Sequence, residues 1–405
     1  MPEKNELKIA LGVITNHINT YSPYIDFLEN AAKHKHEIDR LIIGFSHSYD
    51  EKIVNKLKEK THVTLVKTPG DSELKNRLKA HGVKNETIIT LLHTKLLDKH
   101  GLIPYGFRRN MVLLEALFGT KPADILFFVD TDVKPQLLTD RKNKYTEIDF
   151  IGRHLEYLKK ENVVATTSDY SGYYIIPPLE FPALKKLLIG LQKETAFTYT
   201  RPFNNCIVVN PEKQQVFETN KILGGNLALN LNYINIIPPF FSTTYIMDGK
   251  LFLGRGEDTL MGREIPEKGG KIIDIDTRIF HDTYGNFPEE PDIFEQDTQM
   301  RFFYACMGWL GRNPFLNWYR CTKGEITYDE WQKLKQKQKE NLAAGCRGLA
   351  GYLKNNMFEK LPEAFEAAYA QLDKMIAEYT AAIKAWDEIK KILRERGKNN
   401  ENPAC

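Results

Sequence analysis

Short apolar runs alternate with longer amphipathic stretches over the first third of the chain. Residues 9–14, 41–45, 63–66 and 125–129 are runs rich in β-branched and aromatic side chains, and such runs read as buried strands. Between them the spacing predicts helices over 21–34, 49–60, 86–100 and 108–118, the first with Ser22 before Pro23 as its cap. Strand and helix in alternation predict an α/β protein with a mainly parallel sheet and helices on both faces. Ligands of such sheets collect at the C-terminal strand ends.

The pattern changes from 162 to 282. Further strands are predicted at 163–167, 206–210 and 272–275, separated by the turn-forming runs Pro177-Pro178, Gly224-Gly225-Asn226, Pro238-Pro239 and Gly254-Arg255-Gly256. Long loops here suit an acceptor site in the second half of the same unit. Beyond Pro291 the chain reads as helical, over 293–310, 328–353 and a last helix. In that last helix Leu361, Phe365, Ala368, Leu372, Ile376, Tyr379, Ile383, Trp386 and Leu393 recur by threes and fours, with Lys390 interrupting the row. Such a stripe packs on neighbouring helices, or forms a homodimer seam or an acceptor platform. The expected division is 1–290 (nucleotide half 1–135, acceptor half 136–290), a helical extension 291–398 and a flexible tail 399–405. No internal repeat is visible.

Composition narrows the class. The chain has 405 residues and a formal charge of +3, which gives no support for broad nucleic-acid binding. No transmembrane segment is expected, because no apolar run approaches the roughly 20 residues that span a bilayer. The N-terminal run lacks a signal-peptide pattern. Five scattered cysteines without CxxC pairing suit free thiols in a reducing compartment, so a cytoplasmic location is expected.

The chemistry concentrates at Asp130-Thr131-Asp132, where the 125–129 run ends. Residues two apart on an extended chain share a face, so both carboxylates are expected side by side. Two carboxylates at one buried strand end are unfavourable unless a cation or donors sit there. A divalent cation solves that problem, and a diphosphate can complete its coordination. Three further segments accompany the triplet. Gly224-Gly225-Asn226 allows close backbone approach, although an ordinary turn would look the same. Gly254-Arg255-Gly256-Glu257-Asp258 opens a glycine loop onto an acidic pair at a predicted helix start, where capping alone also accounts for acids. His281-Asp282 ends the strand-like stretch 271–280. A neutral imidazole there can ligate a metal, although a lone His is more often simply hydrogen bonded.

In this order the set resembles the GT-A fold of nucleotide-sugar-dependent glycosyltransferases, within it the inverting group of β-1,4-galactosyltransferases and chondroitin-polymerase-type domains. The resemblance spans about 7–290 and lives in motifs. It implies a Rossmann-like mixed sheet flanked by helices, here with an all-helical C-terminal extension that has no counterpart in the family. It implies Mn²⁺ or Mg²⁺ as cofactor, a UDP- or GDP-sugar donor and a hydroxyl acceptor. Carried over, Asp132 and His281 are metal ligands, with Asp130 on the metal or ribose. Asp258 is the general base and Glu257 orients hydroxyls, the division between the two being open. Thr15, Asn16, Arg109, Asn110 and Thr131 are nucleotide contacts; Gly225, Asn226, Gly256 and Tyr173 are donor or acceptor contacts. The family's Trp near the acidic pair is missing, since Leu253-Gly254-Arg255-Gly256 stands there. A retaining enzyme with the same metal set, a sugar nucleotidyltransferase and a non-catalytic binding protein are the alternatives. The absence of glycine from 15–22 ranks the nucleotidyltransferase lower.

Overall fold

A computed structural model describes residues 7–68, 70–92 and 103–401, with side chains to 395. Its strands are β1 Ile9–Ile18, β2 Arg40–Tyr49, β3 His62–Lys67, β4 Ile125–Val129, β5 Val133–Asp140, β6 Lys144–Glu147, β7 Val163–Thr167, β8 Ser171–Tyr173, β9 Cys206–Ile207, β10 Phe217–Glu218, β11 Asn226–Asn230, β12 Thr244–Met247, β13 Lys250–Leu253, β14 Lys271–Asp274 and β15 Ile279–His281. Eight of them form one sheet in the order β10-β14-β7-β11-β4-β1-β2-β3. A second sheet has the order β6-β5-β15-β8-β9, and β12 pairs with β13 alone. The architecture is mixed α/β: a central mixed sheet flanked by helices, followed by a helical C-terminal region.

The apolar runs are buried strands because their side chains are covered on both faces. Every residue of β4 is buried, with β1 parallel on one side and β11 antiparallel on the other. The sheet is mainly parallel, as expected: β14, β7, β4, β1, β2 and β3 share one direction, and β11, which runs against both β4 and β7, and the short β10 oppose it. β1 and β2 extend past the predicted ends, to Ile18 and Tyr49. The following helix therefore begins at Glu51, with the Asp50 carboxylate accepting from Lys52 N–H at 2.8 Å. Ser22 is not a cap: it is the first residue of the helix Ser22–Lys33, and Pro23 occupies its first turn.

Three other expectations change. The 271–280 stretch is two strands: Asp276 adopts φ 50°, the chain bends, and β15 joins the second sheet instead of the first. Only Cys206 and Ile207 of the 206–210 run pair as strand. The last predicted helix is two, Leu361–Ala370 and Leu372–Glu401. Between them the Gln371 side chain pairs with the Ile246 backbone like a strand neighbour, accepting at 3.0 Å and donating at 2.8 Å. The predicted helix 86–100 is seen as Asn85–Leu92, and 93–100 lie outside the described residues. Of the expected tail, 399–401 are helical and 402–405 lie outside the described residues.

The C-terminal helices pack into the body. Trp386 and Ile389 are fully buried in the core cluster beneath the central sheet, and Trp386 Nε1 donates to Ile237 O at 2.8 Å. Leu361, Phe365 and Ala368 are buried against the helix Gln296–Thr322 and its neighbours. The stripe is covered by this chain's own packing at Leu361, Phe365, Ala368 and Trp386, whereas Leu372, Ile376, Tyr379, Ile383 and Leu393 are half-buried. Among the described residues no helix is long and apolar enough to cross a membrane.

Candidate active site

A cleft of about 780 Å³ opens where β1 and β4 end. Asp130, Thr131 and Asp132 line it, in a turn that carries the chain from β4 in the large sheet to β5 in the small one. The turn gives the two carboxylates different partners, yet they remain near enough for Asp132 to raise Asp130. Asp130 Oδ1 faces Arg109 Nη2 at 2.8 Å, whereas Asp132 Oδ2 faces His281 Nε2 at 3.0 Å. The second contact follows from sheet register. β15 runs antiparallel to β5 with His281 opposite Val133, and Asp282 N–H donates to Asp132 O at 3.0 Å. His281 Nδ1 lies 3.3 Å from the Thr283 hydroxyl, and the Tyr170 ring packs on the imidazole at 4.8 Å between centroids.

Arg109 organises the floor. Its guanidinium reaches Glu257 Oε1 at 3.0 Å through Nε, Gly224 O at 2.5 Å through Nη1 and Asp130 through Nη2. Each of the three nitrogens meets a protein acceptor, so Arg109 braces the floor of the cleft that it also lines. Burial works against its charge, but Asp130 and Glu257 outweigh it and hold the guanidinium more firmly protonated than usual. The two glycines now have a reason. A Cβ on Gly224 would stand 2.7 Å from Arg109 Cζ, and one on Gly225 2.1 Å from Asp130 Oδ2. Both are needed for Arg109 to seat.

Glu257 lines the cleft and Asp258 does not. Asp258 Oδ2 accepts from Gly224 N–H at 2.6 Å. Burial, then repulsion from Glu257, pushes its carboxyl up to about 7. Gly256, at φ +85°, also lines the cleft, and a side chain there would meet Arg312 Nη1 at 2.7 Å. Burial raises Asp130, with Arg109 opposing. Desolvation raises Asp132 as well, although its carboxylate is about half exposed, but the His281 imidazole more than offsets this and holds it below the usual range. Burial disfavours the His281 charge, and Asp132 outweighs it, so the imidazole titrates above its ordinary value.

Five other predicted contacts do not line the cleft. Asn110 is buried, its amide clipped to the Phe240 backbone in both directions at 2.8 Å. Asn226 donates to Thr277 O at 2.9 Å and Asp169 O at 3.2 Å, locking the start of β11. Tyr173 donates its hydroxyl to Pro288 O at 2.9 Å and packs on Phe287, while Tyr170 takes the position beside the site. Thr15 donates to His17 O at 2.9 Å and Asn16 accepts from Ser46 at 3.1 Å; Ile14, not either of them, lines the cleft.

The sequence reading missed one whole wall. Asp297, Met300, Arg301 and Tyr304 of the helix Gln296–Thr322 line the cleft. Their spacing of three and four puts them on one helical face, a signal available in the sequence had polar faces been scanned as well as apolar ones. Tyr105, Ile175, Arg255, Thr283 and Tyr284 complete the lining.

Asp132 and His281 are the residues that could hold a divalent ion. One carboxylate oxygen and one imidazole nitrogen suit Mn²⁺ or Mg²⁺ with open positions for phosphate oxygens and water. Among the described residues no group of three or more His, Cys, Asp or Glu side chains is arranged to hold a metal by itself.

No protein-family model and no curated protein matches this chain. Glucosyl-3-phosphoglycerate synthase from Mycobacterium tuberculosis, in a structure with Mn²⁺, UDP and phosphoglyceric acid, aligns at 16% identity and TM-score 0.29, over 58% of this chain and 60% of that one. The same synthase with Mn²⁺, UDP-glucose and phosphoglyceric acid aligns at 13% identity and TM-score 0.34, over 75% and 80%. A mycobacterial protein aligns at 14% identity and TM-score 0.36, over 76% and 75%. These are distant likenesses, and the function proposed below stands on the cleft itself.

Proposed function

We propose that this chain is a metal-dependent GT-A glycosyltransferase that moves a sugar from a nucleoside-diphosphate donor to a hydroxyl acceptor. The carrying observation is the Asp132–His281 contact of 3.0 Å in a cleft at the strand ends. An imidazole whose Nδ1 meets the Thr283 hydroxyl can present Nε2 to an ion, and the Tyr170 ring holds it in place. A divalent ion on this pair would neutralise charge building on the departing diphosphate. Arg301, which helps keep Asp132 ionised, and Arg255 add positive charge along the same cleft. Arg109 fixes Asp130 and Glu257 so that neither swings as substrate enters. UDP- and GDP-sugars are the donor class to test.

For an inverting reaction Asp258, pushed up to about 7, has the basicity to take the acceptor proton but must leave Gly224 N–H to reach it. One observation favours a retaining outcome. Neither carboxylate of the acidic pair is free in the cleft, since Asp258 is bonded to Gly224 and Glu257 to Arg109. Anomeric NMR of the first-formed product separates the two outcomes.

Calorimetry with Mn²⁺ and UDP tests the reading as a whole. Binding of UDP should require Mn²⁺ and should be lost in Asp132→Ala and His281→Ala. Equal UDP binding in wild type and both variants would end the metal assignment.

A further inference from the structure

A second cavity, of about 930 Å³, lies beside the cleft and shares Tyr105, Arg255 and Tyr304 with it. Its walls come from the β12–β13 hairpin and the helix Gln296–Thr322. Met247, Phe252, Phe303, Met307 and Met357 supply an apolar lining, and Lys250 and Lys360 stand among its residues. The hairpin turns at Asp248 and Gly249, with φ 52° and 71°, and its second strand runs directly into Gly254-Arg255-Gly256-Glu257. The groove therefore joins the cleft at the acidic loop.

From this continuity the geometry points to an acceptor that carries an apolar aglycone, laid in the groove while its hydroxyl enters the cleft. This rests on the glycosyl-transfer reading. A donor and a reacting hydroxyl meet inside the cleft, and the rest of the acceptor needs room beside Glu257. The groove supplies it, and its three methionines and two phenylalanines match an alkyl or aryl body better than a second sugar. Methionine adapts its shape to such bodies, and aromatic walls bury them with little loss of side-chain freedom. The shared Tyr304 and Tyr105, about half exposed, flank the passage between the two spaces.

The test compares methyl and octyl β-D-glucoside, with the galactosides in parallel, by calorimetry on the full chain with Mn²⁺ and UDP present. Each methylene removed from water raises affinity about fourfold, so even partial burial should make the octyl glycosides bind at least about tenfold tighter. Met357→Asp and Phe252→Ser should each reduce that advantage to about twofold or less, while Mn²⁺-dependent UDP binding persists and reports a folded cleft. Equal binding of octyl and methyl glycosides in the wild type overturns the inference. So does an octyl advantage that survives in both variants. Should the wild type bind no UDP with Mn²⁺ while the octyl preference still follows Met357 and Phe252, the glycosyl-transfer reading fails and the acceptor assignment falls with it.

Discussion

The helix Tyr105–Phe118 carries a buried ion network at each end, and the two differ in charge balance. Near its C-terminus Glu115 accepts from Arg40 Nη2 through its carbonyl at 3.0 Å, and its carboxylate meets Arg40 at 3.4 Å and Arg77. Arg77 is also paired with Glu73 at 2.7 Å. Two cations face two anions, and the network closes on itself. Near the N-terminus Arg109 alone serves Asp130 and Glu257, with Asp132 and Asp258 close by. There one guanidinium bridges two carboxylates, and the neighbouring Asp132 faces the cleft with His281, not an arginine, beside it. Similar side-chain chemistry closes on itself at one end of the helix and opens onto a cleft at the other.

Removing either arginine tests that difference most severely. Arg109→Met leaves two carboxylates and a carbonyl without their donor, which should lower stability by about 3–5 kcal/mol. Denaturant unfolding measures the loss, and Mn²⁺-dependent UDP binding should go with it. Arg40→Met should also destabilise, by roughly 1–3 kcal/mol because Arg77 still holds Glu115. It should leave UDP binding intact. Equal loss of UDP binding in both variants would break the contrast between the two ends.

A smaller change probes the cleft alone. Asp132→Ala should reduce kcat/KM for sugar transfer by about 10²–10³, the scale of losing one electrostatic stabiliser. Its carboxylate is about half exposed, so stability should move by no more than about 1 kcal/mol. A large loss of stability would make the Asp132–His281 pair a structural bridge instead of a functional one.

Histidine titration extends the contrast to pH. His154 is fully buried on the helix Phe150–Leu158, its Nδ1 2.8 Å from the Thr166 hydroxyl, and burial pushes it down to about 3. The unfolded chain takes up that proton near the ordinary value of 6.5. Stability from His154 is therefore present above about 6.5 and falls at about 1.4 kcal/mol per pH unit as the pH drops towards 3. His281, raised by Asp132, has the opposite sign: its contribution is complete below its unfolded value and disappears as the pH rises through its folded one. Unfolding curves of His154→Phe across this range should lose the acid-side slope and retain the other. The smallest effect belongs to Arg77→Ala, whose side chain is partly exposed; it should cost about 1 kcal/mol or less and leave the cleft unchanged.

The parts of the site that could be read from the sequence are those set by local pattern. Asp130, Asp132, Glu257 and Gly256 stand on the cleft because apolar runs and glycine turns delivered them to strand ends and loops. Arg109, Asn110, Asn226 and Tyr173 carried the right chemistry, but their partners come from remote segments, and those partners made them supports. The hairpin at Asp248-Gly249 had a local signal, since an Asp-Gly pair favours the two-residue turn, and it went unused.

By itself the sequence determined that β4 is buried and that an acidic turn follows it, because burial of a short apolar run and the turn after it depend on neighbours in the chain. It also determined the helical character of the C-terminal region through its period. Only the tertiary structure decided that His281 stands against Asp132, because strand register between β5 and β15 is fixed by packing across distant segments. The same packing decided which acids Arg109 holds and which one is left to His281 on the cleft.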